Sequence, residues 1–297
     1  MVKKINSRNA EFQKFQVLKT NRNKRHKYGE FFVEGVRNIN GAVEGGWEIT
    51  SFLYTREKPL SGWAEDLLQK VPTQVNYQLT AGLMEELSGK TDTSELMAVV
   101  RMRPDDLSAL PLSDNPCLVL FDRASNRGNL GTILRSCDAL GADGLILTGH
   151  GVDLYDPEVI VSSMGSFFRV PAVRAADNNS VFQFIESLRQ RYPGFQVLGT
   201  TAHKQYPLYG QDLTGPVLLM VGNETQGLCY AFKEGCDKLV TIPMAETSYA
   251  SSFNVACACL LYTSWAGASS PAWWRSAGAA GSSPRSTTSA SAWLAGS

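Results

Sequence analysis

Short apolar runs alternate with helical patterns between residues 115 and 262, and this alternation constrains the fold more than any other feature of the chain. Continuous apolar runs bounded by polar or turn residues are typical of buried strands. The predicted strands are Cys117–Phe121, Gly144–Thr148, Gln196–Thr200, Val217–Val221 and Leu239–Ile242. Helical spacing of apolar residues predicts helices between them, as at 129–140 and 181–191. Because strands separated by helices build a parallel sheet covered on both faces, residues 107–262 are predicted to form one α/β domain.

A weaker alternation of the same kind comes before this domain. Short strand patterns near residues 31–33, 48–54 and 96–100, with helical patterns between them, predict a small α/β domain over residues 1–106. The stretch 103–111, which contains two prolines and two aspartates, is predicted to be the linker.

The composition changes abruptly at residue 263. Residues 263–297 are mostly Ser, Ala and Gly, with four of the six tryptophans, two arginines and no acidic residue. This composition is typical of segments without a packed core, and such a change within a helix is abnormal. We interpret 263–297 as a disordered or non-native tail, with a Trp-rich interaction tail as the competing interpretation. The last helix is accordingly predicted to end near Leu261.

Overall composition and the cysteines narrow the class of protein. Apolar residues make up 43% and charged residues 19% of the chain, as in globular domains. No apolar run approaches the ~20 residues that span a bilayer, and the first residues lack the apolar core of a signal peptide. The six cysteines include no CxxC pair. We therefore expect a cytoplasmic protein with reduced thiols, without disulfides and without a metal site.

Positive charge is concentrated at the start of the chain. Residues 1–40 contain ten Lys or Arg and three Glu, a net charge of +7, so the remainder carries −7 in a chain of net charge zero. The densest run, 19–27, holds the candidate polyanion-binding residues Arg22, Lys24, Arg25 and Lys27. Such a segment favours a polyanionic partner, since Lys and Arg contact phosphate. A solvated helix end is the alternative interpretation.

Three polar clusters follow predicted strands of the larger domain. The first is Asn129-Leu-Gly-Thr-Ile-Leu-Arg135, the second is Gly222-Asn-Glu-Thr-Gln-Gly227, and the third runs from Ile242-Pro-Met to Ser251-Ser-Phe-Asn-Val255. Ligands of parallel α/β sheets bind beyond the carboxyl ends of the strands, so the clusters are expected to converge there. Asn129 can cap its helix, and Arg135 or backbone N–H groups are expected to hold Glu224. Each cluster also has a purely structural interpretation, as a helix cap or a strand–helix turn.

Taken in order, the three clusters resemble the three motifs of the SpoU/TrmH family of RNA ribose 2′-O-methyltransferases, in the SPOUT class. The resemblance covers about residues 4–262, and the first domain is similar to the L30e-like substrate-binding domain that often precedes the catalytic one. It implies a parallel-sheet domain with a C-terminal trefoil knot, a homodimer, an rRNA or tRNA substrate, and S-adenosylmethionine as cofactor. Two departures are Phe253, where the family usually has Leu, and a longer stretch between Met244 and Ser252.

The resemblance also implies the site residues. The positions that match the family's functional residues are Asn129, Arg135, Glu224, Ser252 and Asn254. The positions that it places around the cofactor are Thr200, Gly222, Asn223, Ile242, Met244 and Phe253.

A mechanism can be assigned to these residues on chemical grounds. A guanidinium has a pKa above about 12 and is a poor base, so Arg135 is expected to stabilise a forming ribose alkoxide while an RNA phosphate takes the proton. Glu224 is expected to orient Arg135 or the loops, and Ser252 and Asn254 to hold ribose or the loop. Two rival functions are a non-catalytic RNA-binding protein and a dinucleotide-dependent oxidoreductase. The incomplete GxGxxG pattern at Gly128–Gly131 disfavours the oxidoreductase.

Overall fold

A seven-stranded parallel sheet forms the centre of the larger half of the molecule. The structure is a computed structural model that describes residues 1–90, 92–202, 206–245, 247–250 and 252–266. The strands of this sheet are β6 (Cys117–Asp122), β7 (Gly144–Thr148), β8 (Ala172–Arg174), β9 (Gln196–Thr200), β10 (Tyr206–Pro207), β11 (Val217–Val221) and β12 (Lys238–Thr241). Their order across the sheet is β10-β12-β9-β11-β6-β7-β8. The predicted parallel α/β fold is therefore confirmed.

Helices cover this sheet because the connections between parallel strands must cross back over its faces. The helices are α6 (Arg127–Leu140), α7 (Pro157–Ser162), α8 (Asn178–Arg191), α9 (Tyr230–Gly235) and α10 (Val255–Ala266). The closing helix α10 packs against α6 and strands β6 and β11. It runs to Ala266, five residues beyond its predicted end near Leu261. The rest of the predicted tail, 267–297, lies outside the described residues.

A second, mixed sheet forms the first part of the chain. Its strands are β1 (Val2–Ile5), β2 (Glu30–Glu34), β3 (Ile49–Tyr54), β4 (Asn76–Leu79) and β5 (Leu96–Arg101), in the order β1-β4-β3-β5-β2. The helices that accompany it are α1 (Ala10–Thr20), α2 (Arg22–Tyr28), α3 (Val36–Glu44), α4 (Gly62–Lys70) and α5 (Ala81–Ser88). Helix α1 buries Phe12, Phe15 and Leu18 against this sheet. None of the described helices is long and apolar enough to cross a membrane.

Aromatic side chains from the two halves of the molecule pack into one shared core. The Phe31 ring lies 4.9 Å from the Tyr155 ring and 5.6 Å from the Phe167 ring, measured between centroids. The Trp47 indole N–H donates to the Phe168 carbonyl oxygen at 3.0 Å. Because these buried contacts join residues far apart in the chain, the two sheets share a continuous apolar cluster.

A buried ion pair fixes helix α2 to the loop after β7. The Arg25 side chain is 2% exposed, and its Nε donates to Asp153 Oδ2 at 2.7 Å. Its Nη1 donates to the carbonyl oxygens of Leu18 and Lys19, both at 3.1 Å. The guanidinium therefore joins α1, α2 and the carboxyl edge of the larger sheet.

Replacing Arg25 with Met is expected to destabilise the protein strongly. Removing one member of a buried pair leaves the other charge uncompensated and costs about 3–5 kcal/mol. The free energy of unfolding, measured by urea denaturation, checks this. Lys27→Ala on the same helix is the control, because Lys27 is exposed, and its change is expected within about 0.5 kcal/mol. Equal changes for the two variants would contradict the structural role of Arg25.

Candidate functional site

The Glu224 carboxylate lies where the loops after β6 and β11 meet, and it accepts hydrogen bonds from several donors. Its Oε2 accepts from the Ser125 hydroxyl at 2.5 Å and from the Ser125 N–H at 3.2 Å. Its Oε1 accepts from the Asn126 N–H and from Asn129 Nδ2, both at 3.2 Å. The expectation that backbone N–H groups hold this carboxylate is therefore correct. The alternative holder, Arg135, makes no hydrogen bond or ion pair with it among the described residues.

Asn129 carries the connection from Glu224 to the third cluster. Its amide donates to Glu224, and its Oδ1 accepts from Asn254 Nδ2 at 3.1 Å. Asn254 Oδ1 in turn accepts from the N–H groups of Ala256 and Cys257, which start α10. One residue from each cluster thus belongs to a single chain of hydrogen bonds.

The cap of α6 differs from the prediction in a way that makes this connection possible. Asn126, not Asn129, is the N-cap, and its side chain accepts from the Asn129 N–H at 2.9 Å. A cap residue uses its side-chain oxygen on its own helix. Because Asn126 fills that role, the Asn129 amide is available to Glu224 and Asn254.

Arg123 ties the first loop to the second. Its Nη2 donates to the Gly227 carbonyl oxygen at 2.7 Å, and its Nη1 donates to Gln226 Oε1 at 2.6 Å. In the opposite direction, Asn223 Nδ2 donates to the Arg123 carbonyl oxygen at 2.8 Å. Arg123 has a φ of +52°, an uncommon conformation for a residue with a side chain. These hydrogen bonds offset that backbone strain and fix the positions of the two loops relative to each other.

The electrostatics keep Glu224 ionised. Partial burial favours the neutral acid, but hydrogen bonds from Ser125, the backbone of Glu224 itself and Asn129 outweigh it, and the pKa of Glu224 is lowered from 4.5. A carboxylate with a lowered pKa and several donors on its oxygens is a weak base. It is suited to holding the loops together rather than to removing a proton.

A cavity of about 340 Å³ lies beside this network. This volume is within the usual range of ligand pockets, about 300–1,000 Å³. All six residues predicted to contact the cofactor line this cavity: Thr200, Gly222, Asn223, Ile242, Met244 and Phe253. Glu224 and Ser252 line it as well. Leu228, Val255 and Ala258 add apolar surface, and Lys233 adds a cation.

The floor of the cavity depends on a glycine. A Cβ on Gly222 would lie 2.2 Å from the Gly227 carbonyl carbon and the Leu228 nitrogen, which are backbone atoms. The loop folds back on itself there, with Asn223 and Gly227 exchanging two backbone hydrogen bonds of 3.1 and 2.9 Å. No side chain fits at position 222 without opening this loop.

Arg135 is not joined to the network. It lies on the exposed face of α6, and no hydrogen bond or ion pair of its side chain is found within the described part of the chain. Six residues along a helix correspond to about 9 Å from Asn129. The predicted contact between Arg135 and Glu224 is therefore wrong within one chain.

The predicted RNA-binding residues divide into two groups. Lys24 and Lys27 are exposed on α2. Arg22 is half-buried and donates to the Gly151 carbonyl oxygen at 2.8 Å. Arg25 is buried with its donors occupied by protein acceptors, so its prediction as an RNA contact is wrong and its role is structural.

Some residues of the site carried no signal strong enough to single them out in the sequence. Ser125 and Arg123 lie between the end of strand β6 and the first cluster, and this position was the one signal in the sequence that could have identified them. Lys233 lies nine residues beyond Glu224 on a helix too short to show a clear period.

Two family models match the chain. The SpoU rRNA Methylase family matches residues 116–264, and the SpoU L30e-like domain matches residues 9–98. The chain is also 45% identical, over 255 residues, to a 23S rRNA (uridine(2479)-2′-O)-methyltransferase of Streptomyces viridochromogenes, covering 86% of this chain and 88% of that protein.

The chain also superposes on solved structures of RNA methyltransferases. The SpoU methyltransferase AviRb from Streptomyces viridochromogenes, in complex with AdoMet, superposes with a TM-score of 0.81 at 44% identity, over 87% of this chain and 97% of that one. An AdoMet-bound rRNA methyltransferase from Sinorhizobium meliloti superposes with a TM-score of 0.76 at 26% identity, over 89% and 97%.

Gly222→Ala is expected to abolish binding of S-adenosylmethionine, because the added methyl group collides with backbone that forms the cavity wall. Isothermal titration calorimetry measures the affinity directly. Gly215→Ala is the matched control, since a Cβ there meets nothing within 4 Å. Unchanged affinity in Gly222→Ala would show that the ligand binds elsewhere.

Proposed function

The chain belongs to the SpoU rRNA methylase family, and from this premise we propose that it methylates a ribose 2′-hydroxyl of 23S ribosomal RNA. It is an RNA 2′-O-methyltransferase that uses S-adenosylmethionine. The 23S rRNA is the first candidate substrate because the relative of 45% identity carries that substrate in its name. By the same reasoning, a uridine is the first candidate nucleotide.

The observation that carries this proposal is the hydrogen-bonded chain of Glu224, Asn129 and Asn254 beside the cavity. A non-catalytic RNA-binding protein needs neither an ionised, fully satisfied carboxylate at this point nor a cavity of ligand size. The network therefore favours the enzyme over the binding protein of the same fold.

The cavity fits the cofactor by the chemistry of its wall. Apolar side chains such as Leu228 and Ile242 suit a flat adenine ring, while backbone groups and hydroxyls such as that of Thr200 suit a ribose and the edge of the base. When bound, S-adenosylmethionine supplies an electrophilic methyl group on a sulfonium. Glu224, Asn129 and Asn254 hold the loops around it in one arrangement, which supplies the positioning that such a transfer requires.

We assign the electrostatic role to Arg135. Its guanidinium is exposed, and it keeps a positive charge at every relevant pH. A fixed cation stabilises the negative charge that develops on the ribose oxygen, and an RNA phosphate is the proton acceptor in this scheme. Ser252, exposed at the cavity wall, is assigned to the ribose.

The position of Arg135 leads us to propose a homodimer in which this side chain serves the site of the partner subunit. Helix α6 packs on α7 and α10. Val161 on α7 is 51% exposed, Met164 just after it is 46% exposed and Leu260 on α10 is 44% exposed. Large exposed apolar side chains on packed helices favour a protein interface. We propose that a second copy of the chain covers these three side chains. We also propose that α10 closes the trefoil knot.

The RNA surface in this proposal extends from the cavity to α2. Arg22 and Arg25 dock α2 on the loop after β7, whose carboxyl end lies on the same edge of the sheet as the Glu224 loop. The exposed Lys24 and Lys27 therefore lie on the cavity side of the molecule, where they are available to phosphates.

Arg135→Ala is expected to lower methyl transfer to 23S rRNA by about 10²–10³-fold, the usual loss for a transition-state charge partner. Transfer of labelled methyl groups from S-adenosylmethionine measures the rate, and calorimetry is expected to show unchanged cofactor affinity.

Mixing Arg135→Ala chains with Glu224→Gln chains tests the proposed dimer. Activity above that of either variant alone supports a site shared between subunits, whereas a fully active Arg135→Ala protein contradicts the assignment.

Replacing Lys24 and Lys27 together with Ala is expected to weaken RNA binding and to reduce its salt dependence by roughly one or two released counterions. RNA affinity measured from low to high salt checks this, and S-adenosylmethionine affinity is expected to stay the same. The double variant Lys58→Ala, Lys70→Ala removes equal charge from the same domain as a control. An identical loss in both double variants would show a general effect of net charge.

A further inference from the structure

One side chain at the cofactor cavity has no role in the arrangement described above. Lys233 on α9 lines the cavity and is half-buried. Among the lining residues that the structure describes, it is the single cation, and Glu224 is the single acid. Within the described residues, no hydrogen bond or ion pair of its ammonium group is found.

Helix α9 holds Lys233 at the cavity wall rather than in free solvent. The neighbouring Phe232 is fully buried, and its ring lies 5.7 Å from that of Phe182. The Lys233 N–H donates to the Cys229 carbonyl oxygen at 3.1 Å. These contacts fix the backbone of α9, so the direction in which the side chain leaves the helix is restricted.

Among the described residues, two arginines near this edge of the sheet already have protein acceptors. The Arg123 guanidinium is bonded to Asp122, Gln226 and Gly227. Arg174 donates to the carbonyl oxygens of Gly149 and Val152 at 2.9 and 2.7 Å. Lys233 thus differs from both, because a half-buried ammonium without a protein acceptor is costly unless a ligand supplies one.

The charges of the cofactor decide which of its groups suits Lys233. S-adenosylmethionine carries one anionic group, the carboxylate of its amino-acid end, and two cationic groups, the ammonium and the sulfonium. An ammonium side chain attracts the first and repels the others. Glu224, the one acid among the described residues of the wall, is satisfied by Ser125, Asn126 and Asn129.

We propose that Lys233 binds the carboxylate of S-adenosylmethionine and thereby fixes the amino-acid end of the cofactor. This inference rests on the proposed function and adds a residue to it. Binding the carboxylate at α9 places the charged end of the cofactor against the protein, which leaves the sulfonium to be directed by the loops of Glu224 and Asn254. Lys233 is a cofactor-binding residue in this scheme, not a group that acts on the RNA.

Decarboxylated S-adenosylmethionine provides the test, since it lacks only the carboxylate. Calorimetry is done with both compounds on the wild-type protein and on Lys233→Met. The variant is expected to bind S-adenosylmethionine about tenfold more weakly, the effect of losing one charge-assisted hydrogen bond. The decarboxylated compound is expected to bind the two proteins equally. Lys233→Arg is expected to restore most of the affinity for S-adenosylmethionine.

The controls separate the possible failures. Lys238→Met, an exposed lysine on β12, is expected to change neither affinity, and thermal unfolding shows whether each variant is folded. An equal loss for both compounds in Lys233→Met would overturn the proposal in favour of a structural role. An unchanged affinity of Lys233→Met for both compounds, or a loss of RNA affinity alone, would also overturn the proposal. If the wild-type protein bound neither compound, the proposed function itself would fail.

Discussion

The Glu224 carboxylate is the interaction on which the site depends. It lies after β11, yet its hydrogen-bond donors come from the loop and first turn that follow β6, and through Asn129 it reaches the start of α10. A buried or half-buried carboxylate must be satisfied to remain ionised, and here the loops that satisfy it also line the cavity. The same bonds therefore hold the charge, the loops and the ligand pocket in place.

The parallel sheet could be predicted because its strands are short apolar runs: β7, β9 and β11 have the bounds that the runs indicate. Short elements at its edge, such as β10 and α9, have too few residues to show a period. Helix α1 was not predicted, although Phe12, Phe15 and Leu18 lie at helical spacing. Asn126 and Asn129 were equally good caps on residue type alone, and only the observed start of α6 decides between them.

Tertiary partners explain the errors in the basic segment. Arg25 resembles its neighbours in sequence, but its acidic partner Asp153 is 128 residues away. A run of basic residues predicts a polyanion-binding surface, but it does not show which of those residues are buried in the fold. Lys24 and Lys27 remain candidates for RNA contact, whereas Arg25 fixes the position of helix α2, which carries them. The same long-range reason explains why Glu224 was given Arg135 as a partner: the competing donors at Ser125 and Asn126 lie about 100 residues before it.

Apart from Lys233 on α9, the cavity wall comes from three separate stretches of chain: Thr200–Ala202, the loop Val221–Leu228, and the described residues of 241–258. A molecule bound in the cavity contacts all three stretches. Separating the stretches would break those contacts, so the free energy of binding also opposes their separation. By thermodynamic linkage, a ligand that binds only the folded form stabilises it by RT ln(1 + [L]/Kd). Under the proposed function, the methyl donor bound in this cavity is also a structural component of the C-terminal half, and the stability of α10 is expected to rise with the donor concentration.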